Sequence, residues 1–490
     1  MFRSIRWKRN RKLVFAMVAG FLILTVGFGS ARVSAITSSE RHQTDAFISD
    51  DIQGRVALFN DTQVHQIAIK YDPADYDRLI AAYQKDSDKD FMEASITIDG
   101  TTISRVGIRL KGNSTLGGLR RAGQGGGGMG GNVSADNPDS LPWLVSFDEY
   151  VKGQRYQGYK EIAIRPVLTT KSMMNEALAL SLIGTAGQPT QRTTYSAFSL
   201  NGGKAALRLV LEIPGDNYAE DNFEDLGVLY KALSTGSFTY RGDDPLAYES
   251  AFKQITRKNQ QDIKPLIELL QWVNTSSDAE FAAKLGEYVD VESLAHYIAL
   301  QTLLNNFDDM SGPGQNYYLW YDLENGKFSV LTWDMNLAFG QGMGGARGGQ
   351  GGPVVINGQP GQGNVGQRPN GQLPAGGQAP AGGQAPAGNQ GGNGQVFGGG
   401  GAAQGGIPGG GRGGNKLKER FLASAAFKET YTTAYAEVYQ AIYGSGAALA
   451  EVDRLAAVIG TSNLLDAATV QGEAAALRTA ITTLAARTTP

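Results

Sequence analysis

The sequence predicts an α+β protein of two lobes, a β-rich lobe at residues 63–214 followed by a helical lobe. The first observation is the alternation of apolar and polar residues in the β-rich part, which is typical of strands. The second is apolar spacing of helical period in residues 215–340 and 416–490. The third is a stretch rich in Gly, Gln, Pro and Ala at residues 341–415, which interrupts the helical lobe. We expect a ligand in the cleft between two such lobes.

Turn dipeptides and short apolar runs define the elements of the first lobe. Asp99-Gly100 and Asn201-Gly202 are typical of tight hairpin turns, and alternating apolar residues flank both. Asp72-Pro73 predicts the start of a helix. The predicted strands lie within 63–71, 94–103 (a hairpin), 105–110, 143–147, 160–165, 195–200 and 205–212, and the predicted helices at 73–83 and 171–184.

The second lobe is predicted to be helical with one hairpin. Apolar spacing predicts helices at 262–273, 278–285 and 291–305, and an Ala-rich helical part at 417–486. Glu324-Asn325-Gly326 predicts the turn between two strands at 317–322 and 327–333. Because the low-complexity residues 341–415 cannot bury enough surface to offset their ordering entropy, we predict them to be a disordered insertion.

The N-terminus predicts export. Six basic residues precede an uncharged apolar run at Leu13–Gly29, and Val33-Ser34-Ala35 is an acceptable cleavage motif. Residues 1–35 are therefore predicted to be either a cleaved signal peptide or a membrane anchor through residues 13–29. The basic residues predict that the remainder lies outside the cytoplasm, at the cell surface, in the envelope or in the medium. Residues 36–62 are polar and are predicted to be a linker.

Composition excludes several classes of function. The net charge is −3 and the predicted lobes carry no basic stripe, which argues against a nucleic-acid-binding protein. The chain has no cysteine, so disulfides, thiol catalysis and cysteine-bound metals are excluded. It has three histidines, too few for a polyhistidine metal site. Any catalysis must therefore use carboxylates, amides, hydroxyls, lysine and arginine.

The strongest candidate for chemistry is an ordered set of acids and amides. Asp308 follows a predicted helix, Asn316 begins the next strand, and Asp334 ends the strand that returns beside it. Their side chains can converge, and oxygen ligands of this kind suit Mg²⁺. A carboxylate beside the metal can orient or deprotonate an attacking hydroxyl, as in phosphoryl transfer. In the alternative interpretation, Asp308 and Asp309 only cap a helix end or a turn.

Several short motifs occur in order along the chain. Asn-Phe-Asp at 306–308 and Asn-Tyr-Tyr-Leu-Trp at 316–320 precede Leu-Thr-Trp-Asp-Met-Asn-Leu-Ala-Phe-Gly at 331–340. Upstream lie Arg-Leu-Lys-Gly-Asn-Ser-Thr at 109–115, Leu-Asn-Gly-Gly at 200–203, Leu-Val-Leu-Glu at 209–212 and Leu-Tyr-Lys at 229–231. In these motifs the chain resembles the CotH kinase family, whose corresponding run ends in Trp-Asp-x-Asp and Phe-Gly. The resemblance covers roughly residues 63–340.

The resemblance implies a two-lobed atypical protein-kinase-like fold that uses ATP and Mg²⁺ or Mn²⁺ to phosphorylate a protein acceptor. It implies that Asp308 is the catalytic carboxylate and that Asn316 and Asp334 are metal ligands, with Asp309 and Asn336 as alternatives for these roles. Glu176 is implied to pair with an ATP-binding lysine. Candidate contacts to the nucleotide or its phosphates are Arg109, Lys111, Asn113, Lys160, Glu176, Glu212 and Lys231.

Two positions depart from the family pattern. The family tends to place basic residues in the strand at 143–147, where this chain has Ser146, so Lys160 or Lys111 could contact phosphate instead. Lys160 could equally be a solvated cation at a strand edge. Asn336 replaces the second acid of Trp-Asp-x-Asp and brings an oxygen ligand without charge.

Two other hypotheses stay open. One is a non-catalytic (pseudokinase) protein of a cell surface or coat, which keeps the scaffold for assembly. The other is a carboxylate-based glycosidase, which leaves Asn316 and the basic loop at 109–114 without roles.

Overall fold

The described residues form a mixed α+β structure, which confirms the predicted class. The computed structural model describes residues 48–112, 115–121, 133–168, 170–340, 414–488 and 490. The strands are β1 (Asp50–Ile52), β2 (Val64–Tyr71), β3 (Met92–Ile98), β4 (Thr101–Leu110), β5 (Trp143–Ser146), β6 (Gln154–Tyr156), β7 (Glu161–Ile164), β8 (Thr193–Leu200), β9 (Ala206–Glu212), β10 (Gly227–Ala232), β11 (Phe252–Gln254), β12 (Tyr317–Asp322) and β13 (Phe328–Thr332). The α-helices are α1 (Pro73–Asp86), α2 (Met174–Thr185), α3 (Asp216–Asn222), α4 (Lys264–Thr275), α5 (Asp278–Tyr288), α6 (Val291–Leu303), α7 (Lys416–Ala423), α8 (Lys428–Tyr439), α9 (Ala447–Gly460) and α10 (Ala467–Arg487).

Seven strands of the first half close into a barrel in the order β2-β3-β4-β5-β7-β9-β8. Alternate residues of these strands fill its interior with branched and aromatic side chains. Neighbouring strands are antiparallel except β2 and β8, which run parallel with Ile67 opposite Phe198. This pair closes the barrel, so the sheet has no open edge.

Strand β4 is longer than predicted. The sequence indicated a hairpin strand ending at residue 103 and a separate strand at 105–110, but β4 is continuous over Thr101–Leu110. Its register against β3 shifts between Ala94 and Ile96, and Arg105 has a left-handed φ of 56°. A β-bulge of this kind lets a strand continue across an irregular residue, and hydrophobic alternation does not reveal it.

Part of the predicted linker, residues 48–62, packs on the barrel. Strand β1 pairs in parallel with β6, with Asp50 opposite Gln154. Leu58 is 1% exposed, and its N–H donates to the side chain of Gln157 at 2.8 Å. These residues are therefore folded against the barrel and are not a free connection.

A second, four-stranded sheet has the order β11-β10-β12-β13. The hairpin of β12 and β13 is the one predicted from its Asn-Gly turn, with Tyr317 opposite Thr332. Strands β10 and β11 were not predicted. They extend the sheet, and place Lys231 of β10 between Lys253 of β11 and Tyr318 of β12.

Helix α2 lies between the barrel and the helices of the second half. It is apolar on nearly every side, and nine of its residues are buried. It shares a core cluster with Leu209 of the barrel, Leu303 of α6 and Leu455 of α9. A polar side chain on α2 is therefore held in a fixed position by packing on several sides.

Some predictions concern residues outside the described part of the chain. These are the export signal at residues 1–35, the insertion at 341–413 and the phosphate-contact candidate Asn113. Within the described ranges, the structure has no helix of the length and apolarity that a membrane crossing needs.

Candidate active site

The loop between α6 and β12 carries the predicted catalytic carboxylate. Helix α6 ends at Leu303, and Asn305 turns the chain with a left-handed φ of 47°. Asp308 follows and is 9% exposed. The Gly314 N–H donates to its Oδ1 at 2.5 Å, and the Asn316 amide donates to its Oδ2 at 2.9 Å. Burial raises the pKa of Asp308, although the N–H of Gly314 opposes this shift.

Two glycines allow this loop to close around Asp308. A Cβ atom at Gly314 would lie 2.5 Å from Oδ2 of Asp308, and one at Gly312 would lie 2.5 Å from its Cα. A side chain at Gly312 would collide with the backbone, and one at Gly314 would displace the carboxylate of Asp308, so this arrangement favours glycine at both positions. The sequence analysis did not single out this Gly-Pro-Gly run at 312–314.

The pairing of β12 with β13 brings Asp334 to the same place. Because Tyr317 lies opposite Thr332, Asn316 and Asp334 leave neighbouring strand ends. Asp334 has a left-handed φ of 54°, a strained conformation that occurs more often at functional sites. Its charge also contributes to the raised pKa of Asp308. The structure thus brings together the three predicted residues of the catalytic and metal site.

An arginine that the sequence analysis missed joins this site to helix α2. Arg165 follows β7 and contacts the carboxylates of both Glu176 and Asp334. Its Nη2 atom lies 2.5 Å from Oδ1 of Asp334. Burial alone would lower the pKa of Arg165, but the two carboxylates raise it, so the guanidinium stays charged. The partner of Glu176 is therefore an arginine and not the predicted lysine.

Lys160 has a different partner from Arg165. Lys160 and Arg165 lie at the two ends of β7 and are five residues apart in sequence. Because successive side chains of a strand alternate between its faces, these two point to opposite faces of the sheet. Lys160 instead pairs with the buried Asp148 at 3.4 Å. Strand parity is the signal that could have identified Arg165, because Ala163 has the same parity and packs with the residues of α2.

Two lysines flank Trp333, the residue before Asp334. The Nζ of Lys111 lies 5.2 Å from a Trp333 ring centroid, and that of Lys231 lies 4.3 Å from it. Both are cation–π distances. Lys111 follows strand β4 of the barrel and Lys231 lies on β10, so each sheet supplies one ammonium group to the same indole.

Burial and repulsion by neighbouring cations lower the pKa of both lysines. Burial lowers the pKa of Lys111 far below its ordinary value, and Lys231 and Arg165 lower it further. Burial also lowers the pKa of Lys231 to about 8, with Arg165 adding to this and Asp334 opposing it. Three basic residues thus lie in a partly buried region with the carboxylates of Glu176 and Asp334. A phosphate group would relieve this excess of positive charge.

Arg109 and Glu212 lie apart from this cluster. The guanidinium of Arg109 lies over the ring of Phe91 at 5.0 Å. Glu212 is 1% exposed, and its Oε2 accepts the N–H of Arg192 at 3.1 Å. Burial raises the pKa of Glu212 to about 7. Among the described residues, neither side chain contacts Asp308.

The two alternative residues, Asp309 and Asn336, have other partners. Asp309 forms an ion pair with Lys418 of α7 and accepts the N–H of Ser311 at 2.8 Å. The backbone oxygen of Asn336 accepts the side-chain amide of Asn175 at 2.5 Å. Asp309 is therefore neutralised by a cation, whereas the hydrogen bonds to Asp308 within the described chain come from uncharged donors. Asp308 is the carboxylate better placed to accept a proton.

The donors of this site fit a hard divalent cation. The side-chain N–H of Asn316 donates to Asp308, so the side-chain oxygen of Asn316 is left to bind a metal. Asp334 accepts from Arg165 through Oδ1, so its Oδ2 is left for the same role. Mg²⁺ and Mn²⁺ prefer such oxygens. In the described part of the chain, no three His, Cys, Asp or Glu side chains form a metal-binding group. A cation here would therefore complete its shell with phosphate oxygens and water.

Comparison with known proteins identifies the class. The family model described as CotH kinase protein matches residues 108–479, which is most of the chain. The chain belongs to this family. The match also includes the C-terminal helices, beyond the residues 63–340 on which the sequence resemblance was based.

A particular relative is the inner spore coat protein H of Bacillus subtilis (strain 168), which is 23% identical over 203 residues. The aligned part is 40% of this chain and 55% of that protein. The chain therefore spans little more than half the length of this curated relative.

Proposed function

We propose that this protein is an exported atypical kinase that transfers the γ-phosphate of ATP to Ser or Thr of an envelope or secreted protein. The observation that carries the proposal is the bridge from Glu176 through Arg165 to Asp334, beside the bonded pair of Asp308 and Asn316. Family membership supports it. In this proposal the barrel with α2 is the N-lobe, the second sheet and later helices are the C-lobe, and ATP binds between them.

The residues would share the reaction as follows. Asp308 accepts the proton of the acceptor hydroxyl, whose oxygen bonds to the γ-phosphorus while the bond from that phosphorus to the bridging oxygen of ADP breaks. Lys111, Arg165 and Lys231 bind the phosphate oxygens and offset their charge. The raised pKa of Asp308 suits a general base, because proton transfer is more efficient when the pKa approaches the working pH.

Asn316 and Asp334 would hold Mg²⁺ or Mn²⁺. The cation would supply charge neutralisation at the phosphates. Arg165 orients the Asp334 carboxylate for this role by occupying its other oxygen.

A second candidate function is a non-catalytic structural protein of a cell surface or coat. The specific observations in its favour are the name of the Bacillus relative and Asn336, which lacks the charge of the family's second acid. In either case we propose a location at the cell surface, in the envelope or in the medium, free or anchored by residues 13–29.

The test is phosphate transfer by the full-length chain, from ATP labelled at the γ-phosphate to a generic protein acceptor, with Mg²⁺ or Mn²⁺. We expect Asp308→Asn to lower the rate at least about 100-fold, because the general base is removed. Asp77→Asn is a matched control, since Asp77 is exposed on α1 and its side chain has no hydrogen bond among the described residues. Equal transfer by wild type and Asp308→Asn would overturn the assignment of Asp308.

Nucleotide binding separates the two candidate functions. A ligand at 100 times its Kd stabilises the folded state by about 2.7 kcal/mol, which a thermal melt detects. Stabilisation by ATP with Mg²⁺ that is lost in Asp334→Ala supports the kinase site. If no nucleotide and metal shift the melt and no transfer occurs, the structural candidate is favoured.

A further inference from the structure

The geometry points to Lys418 as a positioning residue that fixes the loop carrying Asp308 and Asn316. This inference rests on the proposed function for its catalytic readout. Lys418 lies in α7, which begins directly after the Gly-rich insertion. It is distant in sequence from every residue so far assigned to the site.

The contact is made through Asp309. The Lys418 ammonium pairs with Oδ2 of Asp309, and the two side chains are 18% and 6% exposed. The other oxygen of Asp309 accepts the N–H of Ser311 at 2.8 Å. Its backbone oxygen accepts the N–H groups of Gly312 at 3.0 Å and of Asn316 at 3.3 Å. Asp309 therefore accepts most of the hydrogen bonds that hold the loop in its conformation, and Lys418 neutralises its buried charge.

Helix α7 is itself attached firmly to the protein. Leu417 and Phe421 are buried in the core beneath the second sheet. Lys416 donates to the backbone oxygen of Asn274 at 3.0 Å, and Arg420 donates to that of Val273 at 2.7 Å. These contacts reach the end of α4 and leave the loop untouched. Lys418 is the charged residue of α7 that the described structure directs to the loop.

The arrangement has a consequence for catalysis. Asp308 and Asn316 bond to each other across the two ends of the loop, and Asp309 holds both ends through its backbone and side chain. If Lys418 is removed, Asp309 keeps a buried charge without a cation, and the loop must open to hydrate it. Displacement of reacting groups by about 1 Å can lower a rate by about 100-fold. The basic residues that would bind ATP lie elsewhere, directly after β4, directly after β7 and on β10.

The experiment compares Lys418→Met with Lys416→Met in the full-length chain. Lys416 is the matched control, because it is on the same helix and donates to α4 rather than to the loop. We expect Lys418→Met to lower kcat by about 10- to 100-fold while the KM for ATP changes less than about twofold. Lys416→Met should leave both near wild type, and Lys418→Arg should restore kcat because arginine keeps the ion pair.

Hydrogen exchange supplies a readout that does not require activity. In Lys418→Met, the amides of residues 308–316 should exchange faster than in Lys416→Met, while those of β12 stay protected. The double variant Asp309→Asn with Lys418→Met should lose no more kcat than the worse single variant, since the two residues act as a pair. If Lys418→Met alone does not fold, the double variant still tests the inference, because it leaves no buried charge without a partner.

Two results would overturn the inference. One is unchanged kcat and loop exchange in Lys418→Met, and the other is equal losses in the Lys416 and Lys418 variants. If the wild type transfers no phosphate at all, the proposed function fails, and loop exchange alone then decides whether Lys418 positions the loop.

Discussion

Lys231 is a residue of the site whose charge responds to pH near neutrality. Its pKa is lowered to about 8, mainly because it is buried, and Arg165 repels its positive form. An anionic phosphate would favour the protonated form and restore the pKa towards its ordinary value. Binding of a nucleotide should therefore take up a proton above pH 8.

We predict that the affinity for ATP with Mg²⁺ falls about tenfold between pH 7 and pH 9, because at pH 9 the Lys231 side chain is mostly the neutral amine and must take up a proton to bind. In Lys231→Arg the affinity should change little over this range, since arginine stays charged. Calorimetric titration at the two pH values measures both. The same pH dependence in Lys231→Arg would show that another group is responsible.

Individual residues of the site were predictable where spacing and motif agreed. Asp308, Asn316 and Asp334 follow a helix and two strand ends in order, and the hairpin between them was correctly predicted. Arg165 was missed because Lys160, on the same predicted strand, was weighed without regard to strand parity. Gly314 was missed because its role depends on a contact with Asp308 that no local pattern reveals.

Helix α2 is the element that carries Glu176, and its beginning is fixed by a distant side chain. The two carboxylate oxygens of Glu473, on α10, accept the N–H groups of Lys171 and Ser172, each at 2.9 Å. These donors lie just before the helix and have no partner within it. A carboxylate there also interacts favourably with the helix dipole.

We predict that Glu473→Gln lowers the free energy of unfolding by about 1–2 kcal/mol, because an amide offers one acceptor where the carboxylate offers two. Urea denaturation measures the loss. Glu287→Gln is the control, since Glu287 is exposed and its side chain has no hydrogen bond within the described chain. No difference between the two variants would mean that packing alone fixes the start of α2.

At the level of elements, local patterns predicted the hairpins and most helices. The turns at Asp99-Gly100 and Asn201-Gly202 and the alternation beside them are local signals. No local signal predicts the parallel pairing of β2 with β8, because it joins segments more than 100 residues apart. Strands β10 and β11 were missed for a similar reason: short strands acquire their stability from the sheet they join, and their own sequences carry little periodicity.

The stability of the whole molecule should depend on Glu212. Its pKa rises from 4.5 to about 7 in the folded state because it is buried. A carboxyl group with a raised pKa contributes stability that is present below the unfolded pKa and is lost as pH rises through the folded one. We expect this group alone to lower the free energy of unfolding by about 3 kcal/mol between pH 4.5 and pH 7.5.

Glu212→Gln should therefore reduce the loss of stability over that range, since glutamine does not titrate. Urea denaturation at pH 5 and pH 8 gives the two free energies for each protein. Because other acids also titrate, the readout is the difference between wild type and variant. An equal decrease in both proteins would contradict the assignment to Glu212.

Gly340 and Asn415, on either side of the insertion, both donate hydrogen bonds to the loop that carries Asp308. The N–H of Gly340 donates to the backbone oxygen of Asn305, and that of Asn415 donates to the hydroxyl of Ser311, each at 3.3 Å. Any segment joined at both ends to residues beside the proposed kinase centre would have a high effective concentration there, on the order of millimolar. Such a segment would compete with any acceptor from solution. Residues 341–413 contain no Ser, Thr or Tyr, so this stretch of the chain has no hydroxyl that the proposed reaction could phosphorylate, and its acceptor must be sought elsewhere.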